Sequence, residues 1–225
     1  MIQPSLSRFK PFAFQTMISV ILLAAGESRR MGQPKLLLPW KKTTILENVV
    51  DNYLKSKISE LIVVVGANQD RTKEVLTSKP VIIVENPHYQ EGMGTSIRRG
   101  VEAASNQAEG YLIGLGDQPL ITTDIIDHLI ASFSKERPGI AICAHQRKSG
   151  HPVIFARKFR RALCTLKGDI GGRMIIEQHS AEVKYVEVGS KVIFVDIDTS
   201  EDYQALRKSI TAILTGSGKG PVPAG

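Results

Sequence analysis

A short glycine loop near the start of the chain carries residue types that could do phosphate chemistry. Gly26 and Gly32 enclose Arg29 and Arg30, and Lys35 follows them. Because glycine lacks a Cβ, the backbone N–H groups of such a loop can come close to an anion. The two arginines and the lysine add fixed positive charge beside those donors. The residue types and their spacing therefore predict a cradle for a triphosphate.

The loop differs from the two most familiar glycine-rich phosphate loops. The Walker pattern has four residues between its glycines, with Lys and Ser or Thr directly after the second glycine. Here five residues separate Gly26 from Gly32, and Gln33-Pro34 precede Lys35. The dinucleotide fingerprint needs a third glycine, which this loop lacks. The missing fingerprint disfavours a dinucleotide oxidoreductase.

The same loop resembles a family signature. The residues from Leu23 to Lys35 are similar, at every fixed position, to the pattern L-A-A-G-x-S-x-R-M-G-x-x-K of the nucleotidyltransferases related to the molybdenum cofactor cytidylyl- and guanylyltransferases. The resemblance implies nucleotide binding by Leu23, Ala24, Ala25, Gly26, Arg30 and Lys35. It also implies that Arg30 and Lys35 are catalytic.

A carboxylate follows a later apolar segment. Residues 111–115 are predicted to form a buried strand, and Gly116-Asp117-Gln118-Pro119 comes directly after it. Magnesium prefers few protein carboxylates together with substrate phosphates, which suits a single Asp at the end of a strand. G-D-Q-P also resembles the metal-binding motif of the family. The resemblance implies that Asp117 is catalytic and binds Mg²⁺.

A second metal contact is expected near the end of the chain. The resemblance makes Asp198 the closest match to the residue that supplies this contact in the wider fold. Asp196 lies two residues earlier, at the end of a strand predicted over 192–196, and strand alternation directs both carboxylates to one face. The choice between them stays open. Thr199 and Asp202 have capping-box spacing, which predicts a last helix.

A second glycine segment precedes a predicted helix over 96–104. The segment Gly92-Met-Gly-Thr-Ser96 comes at the end of a predicted strand, which is the edge where open α/β sheets bind ligands. The family resemblance implies that Gly94, Thr95 and Ser96 hold the base or the ribose. A glycine turn with a serine N-cap would use the same residues, and it remains an alternative.

Two later segments resemble the cytidylyltransferase branch of the family, where they border the second substrate. They are Gly150-His-Pro-Val153 and Gly168-Asp-Ile-Gly-Gly-Arg173, and only Gly172 departs from the family pattern, which has alanine there. The resemblance implies an acceptor site formed by His151, Asp169, Gly171 and Arg173. Glycines ahead of a helix with a nearby arginine also suit an anion. A histidine bonded to the backbone and a plain loop are the alternatives.

Composition narrows the class of protein. The 225 residues are 42% hydrophobic and 23% charged, which indicates one globular domain with an ample core. The net charge of +7 is spread along the chain, so a basic pocket for small polyanions explains it better than nucleic-acid binding. Cys143 and Cys164 form neither a zinc motif nor a disulfide framework, consistent with a reducing cytoplasm. No apolar stretch is long enough to span a membrane.

The predicted elements alternate between strands and helices. This order predicts a parallel sheet with right-handed crossovers. We expect a single-domain α/β fold with a mostly parallel, Rossmann-like twisted sheet and helices on both faces, and the resemblance implies the nucleotide-diphospho-sugar transferase type. The domain is predicted over residues 17–214, with a disordered extension or start-codon artefact over 1–16 and a disordered Gly/Pro-rich tail over 215–225.

The resemblance implies that the protein transfers CMP from CTP to the phosphate of molybdopterin, with Mg²⁺, and releases pyrophosphate. One alternative is another small-molecule nucleotidyl transfer that uses GTP or a sugar phosphate. The other is a non-catalytic nucleotide-binding accessory factor for molybdenum hydroxylases. The expected partners are CTP or another nucleotide, a molybdopterin-type acceptor, and a molybdenum hydroxylase or its chaperone. We expect a cytoplasmic protein that binds neither nucleic acid nor membranes.

Overall fold

The computed structural model describes residues 16–214. The predictions for residues 1–16 and 215–225 lie outside the described residues, except at Thr16, which is buried just before the first strand. The strands are β1 (Ile18–Ala24), β2 (Pro39–Trp40), β3 (Thr43–Thr44), β4 (Glu60–Val65), β5 (Ile82–Glu85), β6 (Gly110–Leu115), β7 (Ile140–His145), β8 (Lys148–Ala156) and β9 (Val183–Glu187). The helices are α1 (Ile45–Leu54), α2 (Gln69–Leu76), α3 (Met93–Ala103), α4 (Thr123–Glu136), α5 (Arg160–Cys164), α6 (Arg173–Gln178) and α7 (Ser200–Leu214).

One large sheet organises the domain. Its strand order is β5-β4-β1-β6-β8-β7-β9, and β2 and β3 form a separate small hairpin. All neighbours in the large sheet are parallel except β8, which is antiparallel to both β6 and β7. The predicted mostly parallel α/β sheet is confirmed. The carboxyl ends of β1, β4, β5 and β6 therefore share one edge.

Helices cover both faces of the sheet, as predicted. One apolar cluster packs α1, α4 and α7 against the sheet, through Val49, Leu129 and Tyr203. A second cluster packs α3 and α5 against the opposite face, through Val101 and Leu163. Because the central strands are buried on both faces, they are continuous apolar runs in the sequence. No helix within residues 16–214 is long and apolar enough to cross a bilayer.

Two predicted elements differ in the structure. The segment predicted as a strand over 192–196 forms a 3₁₀ turn, Lys191–Phe194, which the Ser190 hydroxyl caps by accepting the N–H of Val192. Only Ile193 in this turn is buried, so the apolar residues reflect one anchor rather than a strand. The helix predicted over 96–104 begins earlier, at Met93, and the glycine segment therefore forms its first turn.

The segment that follows β8 is divided into two short elements. It consists of a 3₁₀ turn, Arg157–Phe159, followed by the short helix α5. By contrast, the capping box predicted at the start of the last helix is present. Asp202 N–H donates to the Thr199 hydroxyl at 3.1 Å, and Thr199 N–H donates to the Asp202 carboxylate at 2.9 Å. This cap fixes where α7 begins.

Candidate active site

A cleft of about 540 Å³ lies at the carboxyl ends of β1 and β6. It is bordered by the glycine loop after β1, by the first turn of α3 and by the segment that leads into α7. Ten of the residues predicted from the sequence line it: Leu23, Ala24, Ala25, Gly26, Arg30, Lys35, Ser96, Asp117, Asp169 and Asp198. Segments far apart in the sequence thus converge at one edge of the sheet.

The glycine loop is held in shape by its own residues. Ser28 and Gly32 both adopt left-handed backbone conformations, with φ of 56° and 64°. The Ser28 hydroxyl accepts the N–H of Lys35 at 3.1 Å, which closes the loop on itself. Met31 is buried in the core and anchors the short 3₁₀ turn between them. The loop is therefore rigid in its middle and open toward the cleft.

Lys35 lies between two carboxylates. Its Nζ is 2.6 Å from Oδ2 of Asp117 and 2.9 Å from Oδ1 of Asp198. Arg30 Nη2 contacts the other oxygen of Asp198 at 2.8 Å. The four charged groups form one network on the floor and rim of the cleft.

The network shifts the pKa values of Lys35 and Asp198. Burial disfavours the charged form of Lys35, but Asp117 and Asp198 outweigh burial, so the pKa of Lys35 lies above its ordinary value. Burial would raise the pKa of Asp198, but Lys35 and Arg30 more than offset it, so the pKa of Asp198 lies below its ordinary value. Lys35 and Asp198 are therefore both charged at neutral pH.

Asp196 has a different partner from Asp198. The buried side chain of Gln118 donates to Oδ1 of Asp196 at 2.6 Å. Burial raises the pKa of Asp196 above its ordinary value, and the nearby charges of Asp117 and Asp198 add to this effect. Asp196 also lines the cleft, but only Asp198 shares the Lys35 ammonium with Asp117. The strand alternation assumed from the sequence does not apply, because this segment is not a strand.

Two carboxylates that share one cation fit a magnesium site. Asp117 and Asp198 already hold a positive group between them at hydrogen-bonding distance. Magnesium is usually bound by one or two carboxylates, with the remaining ligands from water and phosphates. Among residues 16–214, no group of three or more His, Cys, Asp or Glu side chains could hold a metal. The donor set therefore suits a cation that arrives with a phosphate substrate.

Gly94 and Thr95, which were predicted with Ser96 to hold the base or the ribose, contact other parts of the protein. Gly94 packs against the 167–168 backbone, where an added Cβ would lie 2.9 Å from the oxygen of Gly168. Thr95 is buried, and its hydroxyl bonds to main-chain oxygens within the protein. Neither residue lines the cleft, whereas Ser96 does.

Of the four predicted acceptor residues, Asp169 alone lines the cleft. Its carboxylate accepts the N–H of Met93 at 3.2 Å and so caps the first turn of α3. Arg173 is 81% exposed and pairs with Glu177 on α6. His151 is partly buried in β8, and burial lowers its pKa below the ordinary value, although the charge of Asp117 opposes this. Gly171 packs near the sulfur of Met93 rather than on the cleft.

Several cleft residues were not predicted from the sequence. Glu27 in the glycine loop accepts a hydrogen bond from Gln90 Nε2 at 2.7 Å and also pairs with Arg29. Gln90 belongs to the 3₁₀ turn Tyr89–Glu91, which faces the glycine loop. Ser28 could have been identified from the sequence, because it is a fixed position of the signature. Gln90 could not, because its role depends on which loops meet in space.

The fold and the cleft define a nucleotidyltransferase of the α/β class. Residues 20–183 match the MobA-like NTP transferase domain model, and the chain belongs to that family. The chain is 30% identical over 200 residues to the molybdenum cofactor cytidylyltransferase of Escherichia coli K12, covering 87% of this chain and 98% of that protein. It is also 30% identical over 199 residues to the nicotine blue oxidoreductase of Paenarthrobacter nicotinovorans, covering 84% and 96%.

Solved structures show the same similarity. An Rv0371c homologue from Mycobacterium sp. strain JC1 is 32% identical, with a TM-score of 0.77 and coverage of 87% of this chain and 98% of that chain. A complex of Rv0371c from Mycobacterium tuberculosis with manganese is 27% identical, with a TM-score of 0.75 and coverage of 86% and 100%. A related structure of this fold thus binds a divalent metal.

One relative is named as an oxidoreductase, although the missing dinucleotide fingerprint disfavours that activity. The nicotine blue oxidoreductase is as similar to this chain as the cytidylyltransferase is. The missing glycine pattern therefore does not by itself exclude redox activity. The two activities have to be separated by experiment.

Proposed function

We propose that this protein transfers CMP from CTP to the terminal phosphate of molybdopterin or the molybdenum cofactor and releases pyrophosphate. The observation that carries this proposal is the Lys35 ammonium held by Asp117 and Asp198 at the foot of the glycine loop. Such a network supplies both a phosphate-binding cation and a carboxylate pair for a metal. The 30% identity to a cytidylyltransferase supports cytosine over guanine, because the probable guanylyltransferases of Bacillus mycoides and Bacillus cereus are 26% and 25% identical.

The triphosphate lies along the glycine loop in this proposal. The backbone N–H groups near Gly26, together with Arg30 and Lys35, bind its oxygens and stabilise the charge that develops at the α-phosphate. The acceptor phosphate attacks in line, a new P–O bond forms at the α-phosphorus, and the bond to pyrophosphate breaks. A phosphate oxygen is already a competent nucleophile, so positioning and electrostatics are sufficient.

Asp117 and Asp198 hold Mg²⁺ in this proposal. A bound ion would supply positive charge that neutralises the phosphates. Lys35 would then bind the triphosphate instead of the carboxylate pair, because one position cannot hold two cations. The manganese complex of a relative supports a divalent ion in this family.

The nucleoside lies between the end of β1 and the first turn of α3. Leu23, Ala24 and Ala25 provide backbone contacts, and Ser96 provides a hydroxyl. Asp169 borders the acceptor. We retain His151, Gly171 and Arg173 as acceptor residues, and Arg173 would have to leave Glu177 to reach the cleft. The product is then passed to a molybdenum hydroxylase or its chaperone in the cytoplasm, without nucleic acid or a membrane.

The test is a pyrophosphate-release assay with Mg²⁺ and molybdopterin, run in parallel with CTP, GTP, ATP and UTP. We expect release with CTP alone, and loss of release in Asp117→Asn. Release with GTP, or with a sugar phosphate as acceptor, would support a different nucleotidyl transfer. Binding of CTP without release in any combination would support an accessory factor.

An oxidoreductase is the second candidate, because one relative carries that name. The same protein sample is therefore mixed with NADH or NADPH and an oxidised dye, and absorbance is followed. We expect no oxidation above the rate without protein. Oxidation that survives Asp117→Asn would contradict the transferase assignment.

A further inference from the structure

A buried amide joins the end of β5 to the first turn of α3. Asn86 follows β5 directly, and its Nδ2 donates to the hydroxyls of both Thr95 and Ser96 at 2.9 Å. Asn86 and Thr95 are 1% exposed, and Ser96 is 4% exposed. In such a dry cluster the direction of each hydrogen bond matters, because an unpaired polar group is costly.

The main chain fixes the orientation of the Asn86 amide. Oδ1 of Asn86 accepts the backbone N–H of His88 at 3.0 Å. Because a backbone N–H can only donate, the amide oxygen faces His88 and the amide nitrogen faces the two hydroxyls. Both N–H bonds of the side chain are used, one by each hydroxyl.

The two hydroxyls differ in where their protons go. Thr95 Oγ1 lies 2.9 Å from the main-chain oxygens of both His88 and Gly92, so its proton is used inside the protein. Ser96 Oγ accepts from Asn86, and no hydrogen bond donated by this hydroxyl is found among the residues that the structure describes. Ser96 lines the cleft, so its proton is available to a ligand.

We propose that Asn86 is a positioning residue that makes Ser96 a hydrogen-bond donor toward the nucleoside. This inference rests on the proposed function, because it requires a nucleotide in the cleft. The nucleoside atom that contacts Ser96 is then an acceptor: a base carbonyl, a ring nitrogen without hydrogen, or a ribose oxygen. An exocyclic amino group only donates, and it would leave the Ser96 proton unpaired in a buried place.

A Ser96 hydroxyl that can only donate allows the site to distinguish between nucleosides. Ser96 without Asn86 could rotate to donate or to accept, and it would then tolerate either kind of ligand atom. With Asn86 in place, a nucleoside that lacks an acceptor at this point leaves a buried polar group unpaired. A site of this kind discriminates more sharply than an apolar pocket does.

The substitution Asn86→Asp tests this proposal with little change of shape. It replaces the two N–H donors by a carboxylate oxygen, so Ser96 donates to residue 86 and presents only lone pairs to the cleft. We expect the Kd of CTP with Mg²⁺, measured by isothermal titration calorimetry, to rise about tenfold or more. Ser96→Ala should raise the Kd by a similar factor. The double variant should bind CTP no more weakly than Ser96→Ala does.

Asn52→Asp is the matched control. Asn52 Nδ2 donates to the main-chain oxygen of Ile121 at 2.8 Å, away from the cleft. This control should lower the Tm without changing the Kd of CTP. Asn86→Ala serves as a second variant without added charge. It should weaken CTP binding in the presence of Ser96 and have no further effect in the Ser96→Ala protein.

Two results would overturn the inference while leaving the proposed function in place. One is an unchanged Kd in Ser96→Ala, and the other is additive losses in the double variant, which would mean that Asn86 acts only through stability. If the wild-type protein binds no nucleotide with Mg²⁺, the proposed function fails, and this inference fails with it.

Discussion

The ammonium of Lys35 lies 2.6 Å from Oδ2 of Asp117, in the place between two carboxylates that is proposed for the metal ion. Asp198 completes the arrangement at 2.9 Å. In the protein without nucleotide, Lys35 therefore neutralises the same oxygens that the proposed Mg²⁺ needs. In the proposed function, Lys35 and the metal would compete for one place, and the triphosphate would give Lys35 a new partner.

The first prediction concerns this competition. Lys35→Met keeps the length of the side chain but removes its charge, so two carboxylates are left facing each other. We expect the affinity for Mn²⁺ without nucleotide, measured by electron paramagnetic resonance, to rise about tenfold. We expect turnover to fall about 10²–10³-fold, because a preorganised cation at the phosphates is lost.

Lys79→Met is the control for Lys35→Met. Lys79 also lies 2.6 Å from a carboxylate, that of Asp51, but outside the cleft. This variant should leave both Mn²⁺ affinity and turnover unchanged. An Mn²⁺ affinity in Lys35→Met equal to or below that of the wild type would show that the lysine and the metal do not compete.

The second prediction concerns Gly26 and separates the effect of a side chain on ligand binding from its effect on backbone strain. A Cβ added at Gly26 would meet no protein atom within 4 Å, and its φ is outside the left-handed region. Gly26→Ala should therefore fold as well as the wild type, or gain about 0.4–1 kcal/mol in the free energy of unfolding. It should nevertheless weaken CTP binding, because the methyl group would occupy the space proposed for the phosphates.

Gly189→Ala provides the contrast for Gly26→Ala. Gly189 also has open space around it, but its φ of 65° is in the left-handed region. This variant should lower the free energy of unfolding by roughly 1–2 kcal/mol without changing the Kd of CTP. If Gly26→Ala binds CTP normally, the glycine loop does not contact the phosphates at this residue.

The third prediction is a pH dependence of stability that arises from His151. Burial lowers the pKa of His151, and the charge of Asp117 offsets only part of this effect. The unfolded state therefore binds more protons between the folded pKa and the ordinary value of about 6.5. The contribution to stability is complete above that ordinary value and is lost as the pH falls through the folded pKa.

We expect the free energy of unfolding, measured with urea from about pH 7 to about pH 5, to decrease less steeply in His151→Gln than in the wild type. His128→Gln is the control, because His128 is exposed on α4. It should follow the wild-type slope. Identical slopes for all three proteins would mean that His151 is protonated as readily in the fold as in the unfolded chain.

The parts of the site that lie within a single loop could be predicted from the sequence. The signature from Leu23 to Lys35 and the G-D-Q-P motif each lie within one loop at the end of a strand, so both can be matched to the family pattern residue by residue. The mostly parallel sheet and its two covered faces follow from the alternation of strands and helices along the chain. The family and the fold could therefore be predicted before any coordinates.

The parts that depend on packing could not be predicted. The resemblance favours Asp198 over Asp196 but leaves the choice open, and the positions of Gln118 and Lys35 distinguish the two carboxylates. Arg173 sits beside suitable glycines, yet its side chain is exposed and paired with a neighbour on its own helix. Such choices depend on contacts between segments that are distant in the chain.

The most direct test of the account follows the α-phosphorus of CTP. The protein is incubated with Mg²⁺, molybdopterin and CTP labelled at the α-phosphate, and a parallel sample contains CTP labelled at the γ-phosphate. We predict that the α-label is found in a CMP–molybdopterin product and that the γ-label is found in pyrophosphate. Transfer of the γ-label to the acceptor, or no transfer of either label, would contradict the account.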